Sequence, residues 1–177
     1  MRYKSSKFYL DLQDSLGQTN LNKSLLMMLH IRLKEIYRYY NISYEQLTSE
    51  IIELLEKQNP INIIVPSFTY SFTKTKKFNT DKSKSEVGKF SEIFRINHSK
   101  FRTPDPIFSL CHKKKIKNEY DNIDNYSAFT DNSIWKYLYE NNVTIINIGL
   151  KHLIISLVHY IEFICKVPYR KIIKIQG

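Results

Sequence analysis

Hydrophobic positions along the chain fall into short blocks whose spacing alternates between two periods. Leu25 to Leu29 is a continuous apolar run of strand length after Asn22-Lys23-Ser24, although its Leu and Met content also permits a helix. Residues 33 to 40 suit a short helix or a connection. Ser43-Tyr44-Glu45-Gln46 has the form of a capping box. The apolar residues behind it, Leu47, Ile51, Leu54 and Leu55, share one helical face, and Asn59-Pro60 ends the helix. Ile61 to Val65 is rich in β-branched residues and predicts a strand closed by Pro66. Residues 66 to 89 form a long polar segment, the kind of loop that inside a compact domain is usually functional or disordered. A helix over Glu86 to Arg95, a strand over Phe108 to Cys111, a helix over Ser133 to Glu140, a strand over Val143 to Ile148 and a helix over Leu153 to Ile164 follow. Residues 112 to 127 are charged and Asn-rich without periodicity.

This alternation predicts an α/β fold with a mainly parallel sheet, and residues 1–177 as one domain. In open sheets of this kind a ligand sits beyond the carboxyl ends of the strands. Those ends are Leu29-His30, Val65-Pro66-Ser67 and Ile148-Gly149, each followed by polar or small residues.

Composition narrows the reading mostly by exclusion. The formal net charge of +10 fits nucleic acid, an anionic membrane, an anionic small ligand, or a solvated lysine-rich surface. The lysines are dispersed and no predicted helix carries a continuous basic face, which disfavours a dedicated nucleic-acid module. Such a module would show strongly salt-dependent retention. Cys111 and Cys165 are far apart and lack metal-type spacing, so neither a zinc site nor a disulfide scaffold is expected. With four glycines, phosphate loops, dinucleotide fingerprints and nucleophile elbows are largely excluded. The first ten residues lack a secretory pattern, and Leu153 to Ile164 is too short and too polar to span a bilayer, so a cytoplasmic location is expected. The many aromatics would allow a homodimer surface.

Three constellations could carry chemistry. His159 and Glu162 stand three apart on a predicted helix, a spacing that equips an imidazole with a carboxylate neighbour. The same spacing fits a histidine tucked against its helix with Glu162 in solvent. Ser156 would lie one turn earlier on that face. Arg102-Thr103-Pro104-Asp105-Pro106 fixes Asp105 between two prolines, which either aims a carboxylate or makes a turn. Ser67-Phe68-Thr69-Tyr70 follows a strand directly, where hydroxyls and amides can hold a phosphate or an acyl carbonyl, or simply end the strand.

Taken in order, these segments resemble the aminoglycoside 3-N-acetyltransferase (antibiotic N-acetyltransferase) family, and within it the relatives that modify amino sugars. The matching stretches are Val65-Pro66-Ser67-Phe68-Thr69-Tyr70-Ser71-Phe72, then Ser85-Glu86-Val87-Gly88 with Glu92-Ile93-Phe94-Arg95 behind it. They continue with Arg102 to Ser109, His159-Tyr160-Ile161-Glu162 and Val167-Pro168-Tyr169-Arg170. The resemblance implies a three-layer α/β/α fold, distinct from GCN5-type acetyltransferases. It implies acetyl-CoA as donor, no metal, and an amine acceptor, either an amino sugar or an aminoglycoside, rather than nucleic acid or membrane. On it, His159 is the general base and Glu162 its support or an acceptor contact. Thr69 and Tyr70 lie near the thioester and pantetheine arm. Ser85 and Gly88 seat the cofactor at a helix N-terminus, with His30 and Ser156 also on the cofactor side. Asp105 stands where drug-modifying members have histidine, implying altered acceptor recognition. Leu29-His30-Ile31-Arg32 replaces a hydroxyl-bearing strand end. Family members continue past Gly177, so a chain lacking its C-terminal part, with or without activity, is the expectation.

Overall fold

The computed structural model describes residues 6–19, 26–116 and 128–171. Within them five strands form one sheet: β1 (Leu26–Ile31), β2 (Asn62–Pro66), β3 (Phe101–Arg102), β4 (Leu110–His112) and β5 (Thr144–Ile148). Their order is β3-β4-β2-β1-β5. β1 pairs in parallel with β2 and β5, whereas β4 runs antiparallel to both β2 and β3. The sheet is therefore mixed: a parallel core of three strands, with a short antiparallel hairpin at one edge. Among the described residues seven helices surround it: α1 (Lys7–Gly17), α2 (Leu33–Tyr40), α3 (Tyr44–Glu56), α4 (Phe72–Thr75), α5 (Lys89–Asn97), α6 (Ile134–Glu140) and α7 (Val158–Ile164).

Successive side chains of a strand point to opposite faces, and that alternation divides the core in two. Met27, Leu29, Ile63, Val65 and Cys111 face one layer, where they meet Phe8, Leu47, Ile51, Leu55, Phe90 and Phe94 from α1, α3 and α5. Leu26, Met28, Ile64 and Leu110 face the other, against Ile134, Trp135 and Leu138 of α6, Tyr160 of α7, and Phe68 and Phe129. Helices on both sides of the sheet make the three-layer α/β/α architecture. Both faces of the central strands are buried, which is why β1 and β2 read as unbroken apolar runs. Each fully buried Leu, Ile or Met in these layers contributes roughly 1.5–3 kcal/mol.

Three helices begin as their sequences dictate. Ser6, Ser43 and Ser133 each accept a hydrogen bond from the amide three residues on, closing α1, α3 and α6 at their N-termini. At Ser43 the box is half formed, because the Gln46 amide turns to Glu50 at 2.9 Å instead of reaching back. The N-terminal helix α1 was not anticipated, although Phe8, Leu12 and Leu16 repeat at helical spacing. The expected helix over Leu153 to Ile164 forms only from Val158. Asn147 donates to the Ile154 carbonyl at 3.1 Å and accepts its amide at 2.9 Å, and the Ser156 amide turns to His30. These bonds take up groups that a helix would have used. The Asn-rich stretch lies, from residue 117 to 127, outside the described residues.

Candidate active site

The carboxyl ends of β1 and β5 sit side by side, with His30 and Asn147 in register. Together they clamp the segment 149–157: Asn147 holds Ile154, and His30 Nε2 accepts from the Ser156 amide at 3.4 Å. His30 is buried and desolvation pulls its imidazole down to about 4, so the ring is neutral and able to accept. Gly149 starts this segment at φ +68, and a Cβ there would lie 2.4 Å from the Arg32 carbonyl. Only glycine permits so close an approach of β5 to the entry of α2.

The clamped segment leads into α7, which carries His159 and Glu162. Glu162 Oε2 accepts from Arg170 Nε at 2.7 Å, and Oε1 accepts from the Tyr169 hydroxyl at 3.1 Å. His159 Nδ1 stands 3.4 Å from Glu162 Oε2 and is in direct contact with Arg170 Nη2. Arg170, with the Tyr169 hydroxyl, holds Glu162 below the usual carboxylate range. The His159 ring meets Phe108 edge-on at 5.5 Å, and the Arg170 guanidinium lies 5.8 Å from the centre of Phe129.

Phe108 joins α7 to the loop that begins at Ser67. Its ring packs against Phe68 at 5.5 Å, and Phe68 packs against the half-exposed Tyr70 at 6.0 Å. Asp105 Oδ1 accepts from the Phe108 amide at 2.6 Å, so Asp105 shapes the turn that presents this ring. Burial nevertheless pushes its carboxyl above the usual range. Asp105 also borders a cavity of about 10 Å³ with Thr103, Ser133 and Trp135, room for about one water.

The long polar loop is ordered by Arg102. Its guanidinium donates to the Ser67 carbonyl, to Thr69 Oγ1 at 2.9 Å, to the Ser83 carbonyl at 2.5 Å and to Ser109 Oγ at 3.2 Å, and it lies over the Phe78 ring. Thr69 is buried, and its hydroxyl also donates to the Lys84 carbonyl at 2.7 Å. The loop ends at the N-terminus of α5. Glu92 Oε2 accepts from the Ser85 amide at 2.7 Å while both its oxygens pair with Arg95. Burial opposes ionisation of Glu92, and the Arg95 fork together with the Ser85 amide outweighs it, leaving the carboxyl below its ordinary range. Gly88 caps α5 at φ +131 without a side-chain hydrogen bond, and nothing stands within 4 Å of a Cβ built on it. The Ser85 hydroxyl is buried and has no hydrogen-bond partner.

The segments that carry the nine expected residues are linked through Phe68, Glu86, Pro106 and Phe108. Ser85 and Gly88 flank Glu86, whose amide donates to the Phe68 carbonyl at 2.8 Å. The Thr69 amide donates to the Pro106 carbonyl beside Asp105, also at 2.8 Å, and the His159 amide donates to the Ser156 carbonyl at 3.1 Å. Ser156 sits just ahead of α7 rather than one turn along it. Arg102, Asn147 and Arg170 carry no sequence signal of their own for these roles, although Arg102 and Arg170 stand inside the motifs that resemble the family.

The sequence profile of the aminoglycoside 3-N-acetyltransferase family matches residues 50–177, starting within α3. The chain belongs to this family. Comparison with curated proteins by sequence gives no match. Among solved structures the chain is similar to AAC-IIIb in binary complex with CoASH, at TM-score 0.70 and 14% identity, covering 90% of this chain and 65% of that one. It is similar to the YokD protein from Bacillus subtilis, at TM-score 0.70 and 17% identity, covering 92% and 72%. It is also similar to sisomicin-bound AAC-VIa, at TM-score 0.65 and 14% identity, covering 89% and 65%. Identities this low establish the shared fold. The chain spans about 65% of the length of the CoASH-bound and sisomicin-bound proteins. Among the described residues no helix is long and apolar enough to cross a membrane.

Proposed function

We propose that the chain is an acetyl-CoA-dependent N-acetyltransferase acting on the amine of an amino sugar or aminoglycoside, with His159 as general base. The observation that carries this reading is the His159–Glu162 pair on α7, in contact through Phe108 with the loop that runs to the N-terminus of α5. An ammonium must lose a proton before its nitrogen can attack, and an imidazole beside a carboxylate suits that task.

The residues at the start of α5 fit an anionic, amide-bearing ligand. The Ser85 hydroxyl is unpartnered, Gly88 leaves open space, and the helix has no side-chain cap, so its first amides favour an anion. Lys84 and Lys89 add charge to that end. Tyr70, half exposed beside Phe68, would lie along the pantetheine arm. Buried Thr69, Ser156 and His30 would shape the wall behind it. When bound, acetyl-CoA supplies the thioester acetyl. His159 would take the amine proton as the C–N bond forms and the C–S bond breaks, CoA would leave as the thiolate and recover that proton, and Glu162 would steady the imidazolium in between. Asp105 would orient the acceptor through the turn it holds at Phe108. A chain of net charge +10, with Arg170 over Glu162, is poor ground for a polycation and favours a singly aminated sugar.

The test is thiol release from acetyl-CoA in the presence of a panel of amino sugars and aminoglycosides. Release with at least one acceptor, lost in His159→Ala while calorimetry still detects CoA binding, is the expected result. Binding of CoA without release from any acceptor would leave a family member without turnover, and no CoA binding at all would remove the reading entirely.

A further inference from the structure

We infer that Arg170 is a positioning residue that sets which ring nitrogen of His159 carries the proton. This rests on the reading of His159 as a base, and it concerns how the ring is held rather than the reaction itself. A neutral imidazole has one N–H and one bare nitrogen, and the hydrogen bond at one nitrogen fixes the state of the other. Arginine only donates. Its Nη2 against His159 Nδ1 therefore requires a bare Nδ1 and places the proton on Nε2. A base that works through Nε2 needs the opposite tautomer, with Nδ1–H donated to Glu162 Oε2.

The two partners of Nδ1 cannot both be satisfied by one neutral ring. Glu162 Oε2 is 3.4 Å away, beyond the usual range for this bond, and already accepts from Arg170 Nε at 2.7 Å. The planar fork of Arg170 thus spans the pair: one nitrogen holds the carboxylate and another occupies the imidazole. Among the described residues the groups that face His159 are Glu162 on α7, Arg170 on the segment after it, and the uncharged Phe108 ring, with Tyr169 bonded to Glu162. No other charged group in contact with His159 is described that could hold the proton on Nδ1. Arg170 follows α7 by six residues across Val167-Pro168, so a small shift of that turn would withdraw Nη2 while Nε keeps Glu162. Withdrawal lets Nδ1–H turn to Glu162 and bares Nε2. His159 is in this view a base held in its inactive tautomer until Arg170 moves.

The imidazole nitrogens of ¹⁵N-labelled protein report the tautomer directly. Spectra are recorded at about pH 9, where an unperturbed imidazole is neutral. The His159 signals are assigned by their loss in His159→Gln. Wild type is expected to show a pyridine-like Nδ1 and a pyrrole-like Nε2. Arg170→Met is expected to reverse the two, and Arg170→Lys, which keeps the charge but lacks the fork, to shift the balance the same way. A wild-type Nδ1 that carries the proton overturns the inference, and that spectrum needs no variant to fold. An unchanged pattern in a folded Arg170→Met overturns it as well. If the wild type turns over, kcat/KM of Arg170→Met should rise at least about tenfold, the weight of one charge-assisted hydrogen bond on an equilibrium. A fall would assign Arg170 a supporting role instead. A wild type with no turnover counts against the acetyltransferase reading alone, since the tautomer is read without substrate.

Discussion

His30 ties the stability of the fold to pH through the same contact that positions α7. The ring is 8% exposed, and its Nε2 accepts the Ser156 amide. In the folded chain burial holds the imidazole at about 4, against 6.5 when exposed. Between these values the unfolded chain binds a proton that the folded chain does not, so stability falls as pH falls through that window. A difference of about 2.5 pH units corresponds to roughly 3 kcal/mol once the window is crossed, and about 2–3 kcal/mol of it is lost by about pH 4.5. Protonation also removes the lone pair that accepts from Ser156, so segment 149–157 loses an anchor. The assay is urea denaturation followed by fluorescence of Trp135, the sole tryptophan and fully buried, at several pH values from about 7.5 to 4.5. His98 and His112 are likewise pulled down by burial, so the informative quantity is the difference between wild type and His30→Gln. That difference should shrink by about 2–3 kcal/mol across the range. Parallel curves, constant to within about 0.5 kcal/mol, would refute the reasoning.

Two further substitutions test how the site is held. Arg102→Met should cost about 2–4 kcal/mol, because the buried Ser67 carbonyl and Thr69 hydroxyl lose a charged donor, and it should raise protease sensitivity within residues 70–88. Chemical denaturation and limited proteolysis read both effects, and an unchanged midpoint would contradict the role given to Arg102. Gly149→Ala should cost at least about 2 kcal/mol, since its Cβ would meet the Arg32 carbonyl at a φ that disfavours side chains. A thermal midpoint equal to wild type would show that β5 and α2 can part without cost.

Much of the fold was legible because the strongest signals are local. The β-branched run ending at Pro66 predicts β2, and the capping box at Ser43 marks the start of α3. The hairpin β3–β4 was not readable as a pair, because β3 is two residues long and owes its existence to its partner. The helix over Leu153 to Ile164 was shortened by Asn147 and His30, residues distant in sequence whose hydrogen bonds outweigh an apolar pattern. Among site residues, the helical spacing of His159 and Glu162 was visible, and the structure places them in contact. Their third partner was not: Arg170 lies past a proline, where helical spacing has no meaning. Arg102 illustrates the same limit, since its partners Ser67 and Ser83 are brought to it only by the folding of a polar loop.

The most direct measurement of the central claim is the mass of the acceptor. Protein, acetyl-CoA and a singly aminated sugar or sisomicin are incubated, and the acceptor is analysed by mass spectrometry with wild type and His159→Ala. The account predicts an acceptor heavier by one acetyl group with wild type, and none with the variant although it still binds CoA. An acceptor left unmodified by a wild type that binds CoA, or modified equally by His159→Ala, would contradict it.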